Sequence, residues 1–358
     1  MANMSDVAKA AGVSKSTVSN VFSGKRAISE AVRMRVLAAA EQLNYRPNYF
    51  ARSMVTKETR IIGVVMDSEK VKFSQYNISF FNGVLKECNR QGYRLLIDTL
   101  HKEYRKQVTQ MTSEPVDGEI ILDPARVDER IQERVANGRV MTIIGKPPLK
   151  YETALSYVNN DNVQAAETAT AYLLGLGHRH ILLMNAVKKR TVSQDRKAGY
   201  VQAFEKIGLT ANENCNVYRG ETVSSVEYGY ITAKKYLRKN PMITAIIADT
   251  DQIALGVYRA VSELGLSVPG DVSVIAFNNN TVYPDEFNPP LTCIELNGEI
   301  LGQEATKLLI EQLQSKEKLV KQIIIQSKLV ERASCGPART IFPSDPVQSS
   351  TLVQREDK

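Results

Sequence analysis

Downstream of residue 60, short runs of apolar residues alternate with longer segments in which apolar residues recur at helical spacing. The short runs predict strands at 61–66, 93–97, 119–122, 140–144, 181–184, 245–248, 272–277 and 322–325. The periodic segments predict helices at 81–91, 164–176, 197–207, 224–238, 252–264 and 299–314. This alternation favours an α/β fold with parallel sheets and helices on both faces, in which ligands bind beyond the C-terminal ends of strands.

The first 46 residues have a different pattern, which predicts three short helices. Ser5, Ser14 and Ser29 are placed to cap these helices, and Gly12 permits a tight turn between the first two. The apolar positions predicted to face inward are Val7, Ala8, Ala11, Val18, Val21, Phe22, Val32, Val36, Leu37, Ala40 and Leu43. Two short helices joined by a glycine turn match a helix-turn-helix, whose second helix enters the major groove of DNA.

Positive charge is concentrated in the same region. Residues 1–60 contain ten Lys or Arg and four Asp or Glu, a net charge of +6, whereas the whole chain carries +7. Clustered cations gain affinity for DNA by releasing the counterions of its phosphates. Because the basic segment coincides with the three predicted helices, a DNA-binding role is favoured over a solvated basic surface.

The sequence DVAKAAGVSKSTVSNV, followed by LNYRPNYFARSM, resembles the start of the lactose/galactose repressor (LacI/GalR) family. The resemblance extends from the N-terminus to residue 332. It implies a transcription regulator, usually a repressor, that binds a near-palindromic operator as a homodimer and is controlled by a small molecule, often a sugar. It also implies a two-lobed, doubly wound α/β body like that of periplasmic sugar-binding proteins.

These expectations divide the chain into four parts: a helix-turn-helix headpiece at 1–46, a hinge helix and linker at 47–60, an effector-binding and dimerisation body at 61–332, and a disordered tail at 333–358. The chain is expected to cross between lobes near Val158, Pro289 and Leu319. Lobe one then comprises 61–157 and 290–318, and lobe two comprises 158–289 and 319–332. The tail contains three prolines and no heptad repeat, which favours disorder and a dimer rather than a tetramer.

The resemblance assigns DNA contacts within the second predicted helix. Lys15 and Ser16 match positions that read bases, and Thr17 and Ser19 match positions that hold phosphates. Asn20 departs from the family, in which Arg is common. Arg suits guanine and Asn suits adenine, so the predicted operator half-site differs at that position, unless Asn20 does not reach a base.

The remaining predicted DNA contacts lie beyond that helix. In the hinge, Met54 occupies the position of the family's apolar wedge, usually Leu, which pries apart a base step in the minor groove. An alternative role for Met54 is a contact between hinge helices. The other predicted DNA contacts are Arg26, Asn48, Ala51 and Arg52.

Three predicted effector contacts follow the family positions in the second lobe. Arg196 matches a cleft arginine that grips hydroxyls or a carboxylate, and its fixed donors suit a polyol. Thr250 stands where the family often has Asn facing the effector. Asn278 stands where sugar-sensing members often have Asp, so an amide replaces a charge there.

Three further candidates follow predicted strands. Phe73 is placed to stack on the apolar face of a sugar, Lys146 stands at a cleft-facing position, and Asp251 follows Thr250. For each effector candidate, the alternative role is a helix cap or a solvated loop residue.

Other chemistry has little support in the sequence. His178 and His180 form an H-x-H, but no cysteine is near and the segment reads as a turn entering a strand, so no metal is predicted. Asp249 and Asp251 would suit glycoside chemistry only with suitable carboxyl spacing. Walker-type, G-x-S-x-G and H-E-x-x-H motifs do not occur, so neither an enzyme nor a cofactor is expected.

The cysteines fit reduced, mostly buried thiols, because they are scattered at Cys88, Cys215, Cys293 and Cys335. No signal peptide or membrane span is recognised, so a cytoplasmic, nucleoid-associated protein of bacterial type is expected. Besides a sugar-released repressor of carbohydrate-utilisation genes, two alternatives stay open. One is a corepressed regulator that senses a nucleobase or a phosphoprotein. The other is a sugar-binding or sugar-processing protein.

Overall fold

The structure, a computed structural model, describes residues 2–24, 26–46, 53, 56, 58–66, 75–98, 115–278, 283–317 and 319–340. The chain divides into two compact units. The first consists of residues 1–61 with 112–117, and the second consists of residues 62–111 with 118–358.

The first unit contains three helices: α1 (Met4–Ala11), α2 (Lys15–Ser23) and α3 (Glu30–Gln42). Their apolar faces meet in a small core of Val7, Ala8, Ala11, Val18, Val36, Ala39 and Ala40. Gly12 ends α1 with a φ of +64°, a left-handed conformation that glycine adopts without strain. The predicted helix-turn-helix is therefore present in the described part of this unit.

Three local predictions for this unit are corrected. Asn3, not Ser5, caps α1, because its side chain accepts hydrogen bonds from the first turn while Asp6 reaches back to the Asn3 amide. Ser29 stands at the N-cap of α3 but makes no side-chain cap bond. Leu37 is 38% exposed, so it lies at the edge of the core and not within it.

The carboxylate of Asp117 anchors the end of the linker. It accepts hydrogen bonds from the Thr59 amide at 2.6 Å, the Thr59 hydroxyl at 2.8 Å and the Arg60 amide at 2.8 Å. The Asp117 amide donates in turn to the carbonyl of Ile61 at 2.9 Å. These bonds fix the position at which the linker chain becomes a strand.

Strands and helices alternate along the rest of the chain. The strands are β1 (Ile61–Val65), β2 (Arg94–Asp98), β3 (Gly118–Leu122), β4 (Met141–Ile144), β5 (Tyr157–Asn160), β6 (Ile181–Val187), β7 (Asn216–Arg219), β8 (Ala245–Ala248), β9 (Ser273–Asn278), β10 (Thr292–Glu295), β11 (Gln322–Ile325) and β12 (Lys328–Val330). The helices are α4 (Gln75–Gln91), α5 (Glu129–Ala136), α6 (Asn162–Gly175), α7 (Thr191–Glu205), α8 (Ser225–Lys239), α9 (Asp251–Glu263) and α10 (Gly298–Gln314).

Each of the two lobes of this body is built on its own sheet. The sheet of lobe one has the order β11-β5-β4-β3-β1-β2, with α4 and α10 packed on one face and α5 on the other. The sheet of lobe two has the order β12-β10-β9-β8-β6-β7, with α8 and α9 on one face and α6 and α7 on the other. Of the strand pairs whose register the described residues define, only β10 with β12 is antiparallel. The predicted doubly wound, two-lobed α/β fold is confirmed.

The three crossings between the lobes lie later in the chain than predicted. They follow β5, β10 and β11, near Asp161, Leu296 and Gln326, because β10 pairs in the sheet of lobe two and β11 in that of lobe one. The side-chain amide of Asn160, at the first crossing, donates to the carbonyl of Leu296 at 2.8 Å and to that of Ile325 at 3.2 Å. One residue therefore joins all three crossings.

The predicted disordered tail begins too early. Ser334 is fully buried, and its hydroxyl accepts a bond from the Thr292 amide at 2.8 Å. The Ala338 amide donates to the carbonyl of Leu176 at 2.9 Å. Residues 333–340 therefore belong to lobe two, and the rest of the predicted tail lies outside the described residues. Among the described helices, none is long and apolar enough to cross a membrane.

Candidate functional site

Helix α2 presents a polar face opposite its buried side. Val18 is fully buried, while Lys15 and Ser16 are exposed and Ser19 and Asn20 are half-buried. Ser16, Ser19 and Asn20 share the outward face, because residues three and four apart are neighbours on a helix. Of the predicted DNA contacts, Ser16, Ser19 and Asn20 thus lie together on one side of α2, and Lys15 is exposed beside Ser16.

The N-terminus of α2 is held by hydroxyl groups. The Ser14 hydroxyl lies 2.7 Å from that of Ser16 and 2.8 Å from that of Thr17, and it accepts the Thr17 amide at 3.1 Å. A helix N-terminus with hydroxyl donors suits a DNA phosphate. Thr17 therefore lies at the N-terminus of α2, and its contact with a phosphate stays a prediction.

The other predicted DNA contacts divide into two groups. Arg26 is exposed just after α2. The four hinge candidates, Asn48, Ala51, Arg52 and Met54, lie outside the described residues.

A cavity of about 770 Å³ opens between the two lobes, at the C-terminal ends of strands from both sheets. This volume suits a small ligand, since such sites measure about 300–1,000 Å³. Lobe one contributes, among others, Tyr76, Asn77, Asp123 and Asn159. Lobe two contributes, among others, Arg190, Thr191, Arg196, Arg219, Glu221, Asp249, Thr250, Asp251, Phe277 and Asn278.

Arg196 lies in this lining, as predicted, and it is already paired. Its Nη1 donates to the backbone carbonyl of Asp249 at 3.0 Å and forms an ion pair with the Asp249 carboxylate. The guanidinium stacks on the ring of Phe277, 3.9 Å from its centroid. Because Asp249 is engaged by Arg196, it does not stand as half of an acid pair with Asp251.

Three more predicted effector residues line the cavity. Thr250 caps α9, since its hydroxyl accepts the Ile253 amide at 3.2 Å, so its alternative role as a helix cap is observed and its effector contact stays a prediction. Asp251 accepts the Gln252 amide at 2.7 Å through Oδ1, and burial raises the pKa of its carboxyl. Asn278, at the end of β9, is 2% exposed.

Lys146 does not join this group. It follows β4, but it is not part of the cavity lining, and its Nζ lies 3.0 Å from a carboxylate oxygen of Glu152. Burial raises the pKa of the nearby Asp195, against the opposing charge of Lys146. Lys146 is thus placed at the edge of the cleft, and Phe73 lies outside the described residues.

Several lining residues were not predicted. Arg190 and Thr191 were missed because β6 extends to Val187, three residues beyond the predicted strand end at 184, and the lining loop starts only there. Asn159 was missed because its strand has a polar sequence. Arg190 and Thr191 could have been found from the segment KKRTV at 188–192, because its basic and hydroxyl side chains follow a predicted strand.

The two lobes touch through a short antiparallel bridge beside the cavity. Ala125 of lobe one lies opposite Arg190 of lobe two. The Arg126 amide donates to the carbonyl of Lys189 at 2.9 Å, and the Thr191 amide donates to that of Pro124 at 3.2 Å. The Arg190 guanidinium also bonds the carbonyl of Asp123. These bonds hold the lobes in one relative arrangement.

His178 is a structural residue. Its Nδ1 lies 2.8 Å from the Thr244 hydroxyl, and its Nε2 lies 3.0 Å from the Ser273 hydroxyl and 3.1 Å from the Gly336 carbonyl. Burial lowers the pKa of this imidazole. Over the described part of the chain, no cluster of three or more His, Cys, Asp or Glu side chains could hold a metal ion.

Comparison with known proteins agrees with this architecture. Residues 3–48 match the lacI family of bacterial regulatory proteins, and residues 170–335 match a periplasmic binding protein-like domain. The HTH-type transcriptional repressor PurR of Klebsiella pneumoniae subsp. pneumoniae is 30% identical over 342 residues, which cover 93% of this chain and 97% of the relative.

Two solved structures share the fold. The lac repressor dimer bound to operator and the anti-inducer ONPF aligns with a TM-score of 0.77 at 24% identity, covering 94% of this chain and 99% of the other. The complex of the transcriptional regulator CelR with cellobiose aligns with a TM-score of 0.71 at 24% identity, covering 93% and 100%. This chain therefore belongs to the lacI family of bacterial regulatory proteins, as a DNA-binding transcription regulator with an effector-binding domain.

Proposed function

We propose that this protein represses carbohydrate-utilisation genes as a cytoplasmic homodimer on a near-palindromic operator, and that a small sugar releases it. The observation that carries the proposal is the cavity between the lobes, lined by hydroxyl, amide, carboxylate and guanidinium groups. A sugar presents many hydroxyls, each of which both donates and accepts hydrogen bonds. The cavity volume of about 770 Å³ also lies within the range of about 300–1,000 Å³ for small-molecule sites.

The position of the cavity supports control by a ligand. Lining residues come from both lobes, so a bound molecule touches both and stabilises one relative arrangement. The bridge between Ala125 and Arg190 lies on the same rim, so its bonds depend on that arrangement. The linker, anchored at Asp117, carries the change along the chain to the headpiece.

The nucleobase alternative has less support in the described lining. A flat base is held by stacking on aromatic rings. One face of Phe277 is already covered by the guanidinium of Arg196 at 3.9 Å. The remaining described aromatic residue of the lining is Tyr76, which packs on Phe80 with the ring centroids 6.5 Å apart. A polyol needs hydrogen bonds more than stacking, and the lining offers those.

The DNA half of the proposal rests on the outward face of α2. Lys15 and Ser16 are exposed there, and Asn20 shares their face. Asn pairs with adenine through two hydrogen bonds, whereas Arg prefers guanine. We expect sites selected from random DNA to carry adenine opposite Asn20, and Asn20→Arg to restore guanine. Selection of guanine by the unchanged protein would contradict this assignment.

A release assay tests the proposed function. The operator selected from random DNA is labelled, and its binding to the full-length protein is followed by fluorescence anisotropy. Adding monosaccharides or disaccharides one at a time is expected to release the DNA for at least one of them. Nucleobases are tested in parallel, because a corepressor would tighten binding instead.

Arg196→Met provides the matched variant. It keeps the headpiece, so we expect normal operator affinity together with loss of the release by sugar. Unchanged release in Arg196→Met, or tightening by a nucleobase in the unchanged protein, would contradict the sugar-released repressor.

A further inference from the structure

The positive charge of Arg196, in the cleft, is neutralised by Asp249, a residue of the same lobe. Arg196 is 5% exposed and Asp249 is 9% exposed, and their side chains form an ion pair. A second bond from Arg196 to the Asp249 backbone carbonyl, at 3.0 Å, fixes the geometry. An effector that enters the cleft therefore meets a neutral pair of groups instead of a free guanidinium.

The described lining as a whole carries one more acid than arginine. It contains three arginines and four acids, namely Arg190, Arg196, Arg219, Asp123, Glu221, Asp249 and Asp251. Glu221 is paired with Lys189 at 2.8 Å on the rim. Arg219 donates to the backbone carbonyl of Val223 at 3.1 Å. An anionic ligand brought into this lining would lose water and enter a site whose described charges sum to −1, with three arginines against four acids, which is costly for a buried charge.

Two buried polar atoms of the lining lack a hydrogen-bond partner among the described residues. They are Nε of Arg196, which is a donor, and Oδ2 of Asp251, which accepts when the carboxylate is charged. A hydroxyl group can accept from the first or donate to the second. A ligand carboxylate or an ionised phosphate offers only acceptors. It can accept a hydrogen bond from Nε of Arg196, but it is repelled by Oδ2 of Asp251.

We propose that Asp249 determines effector specificity, by restricting the cleft to uncharged polyhydroxyl molecules and excluding sugar acids and sugar phosphates. This inference rests on the proposed function, because it concerns the same cleft. The carboxylate of Asp249 cancels the charge of Arg196 and leaves its Nε to bond a neutral hydroxyl. Phe277, stacked beneath the guanidinium, keeps this donor in place.

The test is a calorimetric titration of the full-length protein with matched sugars. The neutral members are glucose, galactose and ribose, and the anionic members are glucuronate, galacturonate, glucose 6-phosphate and ribose 5-phosphate. For any sugar that binds, the neutral member is expected to bind at least tenfold more tightly than its anionic partner. In Asp249→Asn, this preference is expected to shift by at least tenfold toward the anion, because Arg196 regains its charge.

Two further variants keep the test interpretable. Asp271→Asn removes one carboxylate of the same lobe outside the cavity lining, and it is expected to leave the preference unchanged. Asp249→Asn with Arg196→Gln restores neutrality, and it is expected to lose the gain for anions. Thermal unfolding shows which variants fold. The comparison within the unchanged protein needs no substitution, so equal binding of anionic and neutral sugars overturns the inference even if Asp249→Asn unfolds.

The outcomes separate the two proposals. Anions that bind the unchanged protein as tightly as their neutral partners overturn the role of Asp249, while release of DNA by any of these ligands upholds the proposed function. A folded Asp249→Asn protein whose preference does not move also overturns the inference. If no ligand of the panel binds and none releases DNA, both proposals fail.

Discussion

The bridge between the lobes can be converted into a covalent lock. Ala125 and Arg190 lie opposite each other, flanked by the bonds from Arg126 to Lys189 and from Thr191 to Pro124. This is the arrangement of a non-hydrogen-bonded antiparallel pair, whose Cα atoms lie about 4.5 Å apart. That separation falls within the range of about 4.4–6.8 Å seen for disulfides. We therefore expect Ala125→Cys with Arg190→Cys to form a disulfide under mild oxidation.

The size of the effect follows from the chain that the disulfide would close. Residues 125 and 190 enclose a loop of about 65 residues, for which loss of unfolded-chain entropy gives about 4 kcal/mol. The oxidised double variant is expected to exceed its own reduced form in unfolding free energy by up to this amount. Urea denaturation with and without reductant measures the difference, and the two single variants serve as controls.

The native thiols should not interfere with this measurement. Cys88, Cys215 and Cys293 are buried, and Cys335 is half-buried. Burial raises the pKa of the Cys88 and Cys335 thiols to about 11 in each case, so little reactive thiolate forms at neutral pH. Peptide mapping of the oxidised protein is expected to show only the bond between the introduced cysteines.

A functional measurement completes the test. With the lobes locked, the effector cannot leave by opening of the cleft, so its dissociation rate is expected to fall at least tenfold on oxidation. Stopped-flow dissociation, with and without reductant, gives the ratio. If the disulfide does not form, or if oxidation leaves the dissociation rate unchanged, the bridge does not hold the lobes together.

Three further predictions concern stability. Asp117→Ala removes the acceptor of three linker hydrogen bonds, and it is expected to lower the unfolding free energy by about 1–3 kcal/mol and to weaken operator binding, measured by urea denaturation and anisotropy. Gly199→Ala is expected to lower the melting temperature, because the added Cβ would lie 2.0 Å from the carbonyl oxygen of Val163; Gly175→Ala, which meets nothing within 4 Å, is the control. Because burial lowers the pKa of His178, the unfolded chain binds its proton first, so stability should fall as the pH drops below about 6.5. His178→Gln should weaken this dependence between pH 7.5 and pH 5.5, and equal slopes in urea denaturation would contradict the assignment.

The strands that form the centre of each sheet could be predicted because they are apolar on both faces. β8 (Ala245–Ala248), in the centre of the sheet of lobe two, begins and ends where the sequence predicts. The edge strand β11 (Gln322–Ile325) also has its predicted bounds, because three of its four residues are isoleucines. β5 (Tyr157–Asn160) was missed, although it is buried, because two of its four residues are asparagines. The Asn160 amide is used in tertiary hydrogen bonds, which no local pattern reveals.

In the cleft too, the local sequence does not reveal which side chains pair with distant residues. Arg196 could be found from its family position, but its partner Asp249 lies 53 residues further along the chain. Nothing in the local sequence distinguishes an acid that pairs with a distant arginine from one that caps the next helix. The lobe crossings were misplaced for a similar reason, since β10 could join either sheet on its sequence alone.

The hydrogen bonds of the Asn160 amide restrict the movements of the lobes that an effector can cause. Three segments of the chain cross between the lobes, after β5, β10 and β11, and this amide joins the first segment to the second and third. Sliding of one lobe along the other would break these bonds, whereas a rotation about them would not. The lobes then rotate about the crossings as about a hinge. A bound effector therefore affects the rest of the protein only through the angle between the lobes. Effectors of different shape that hold the same angle would be indistinguishable to the DNA.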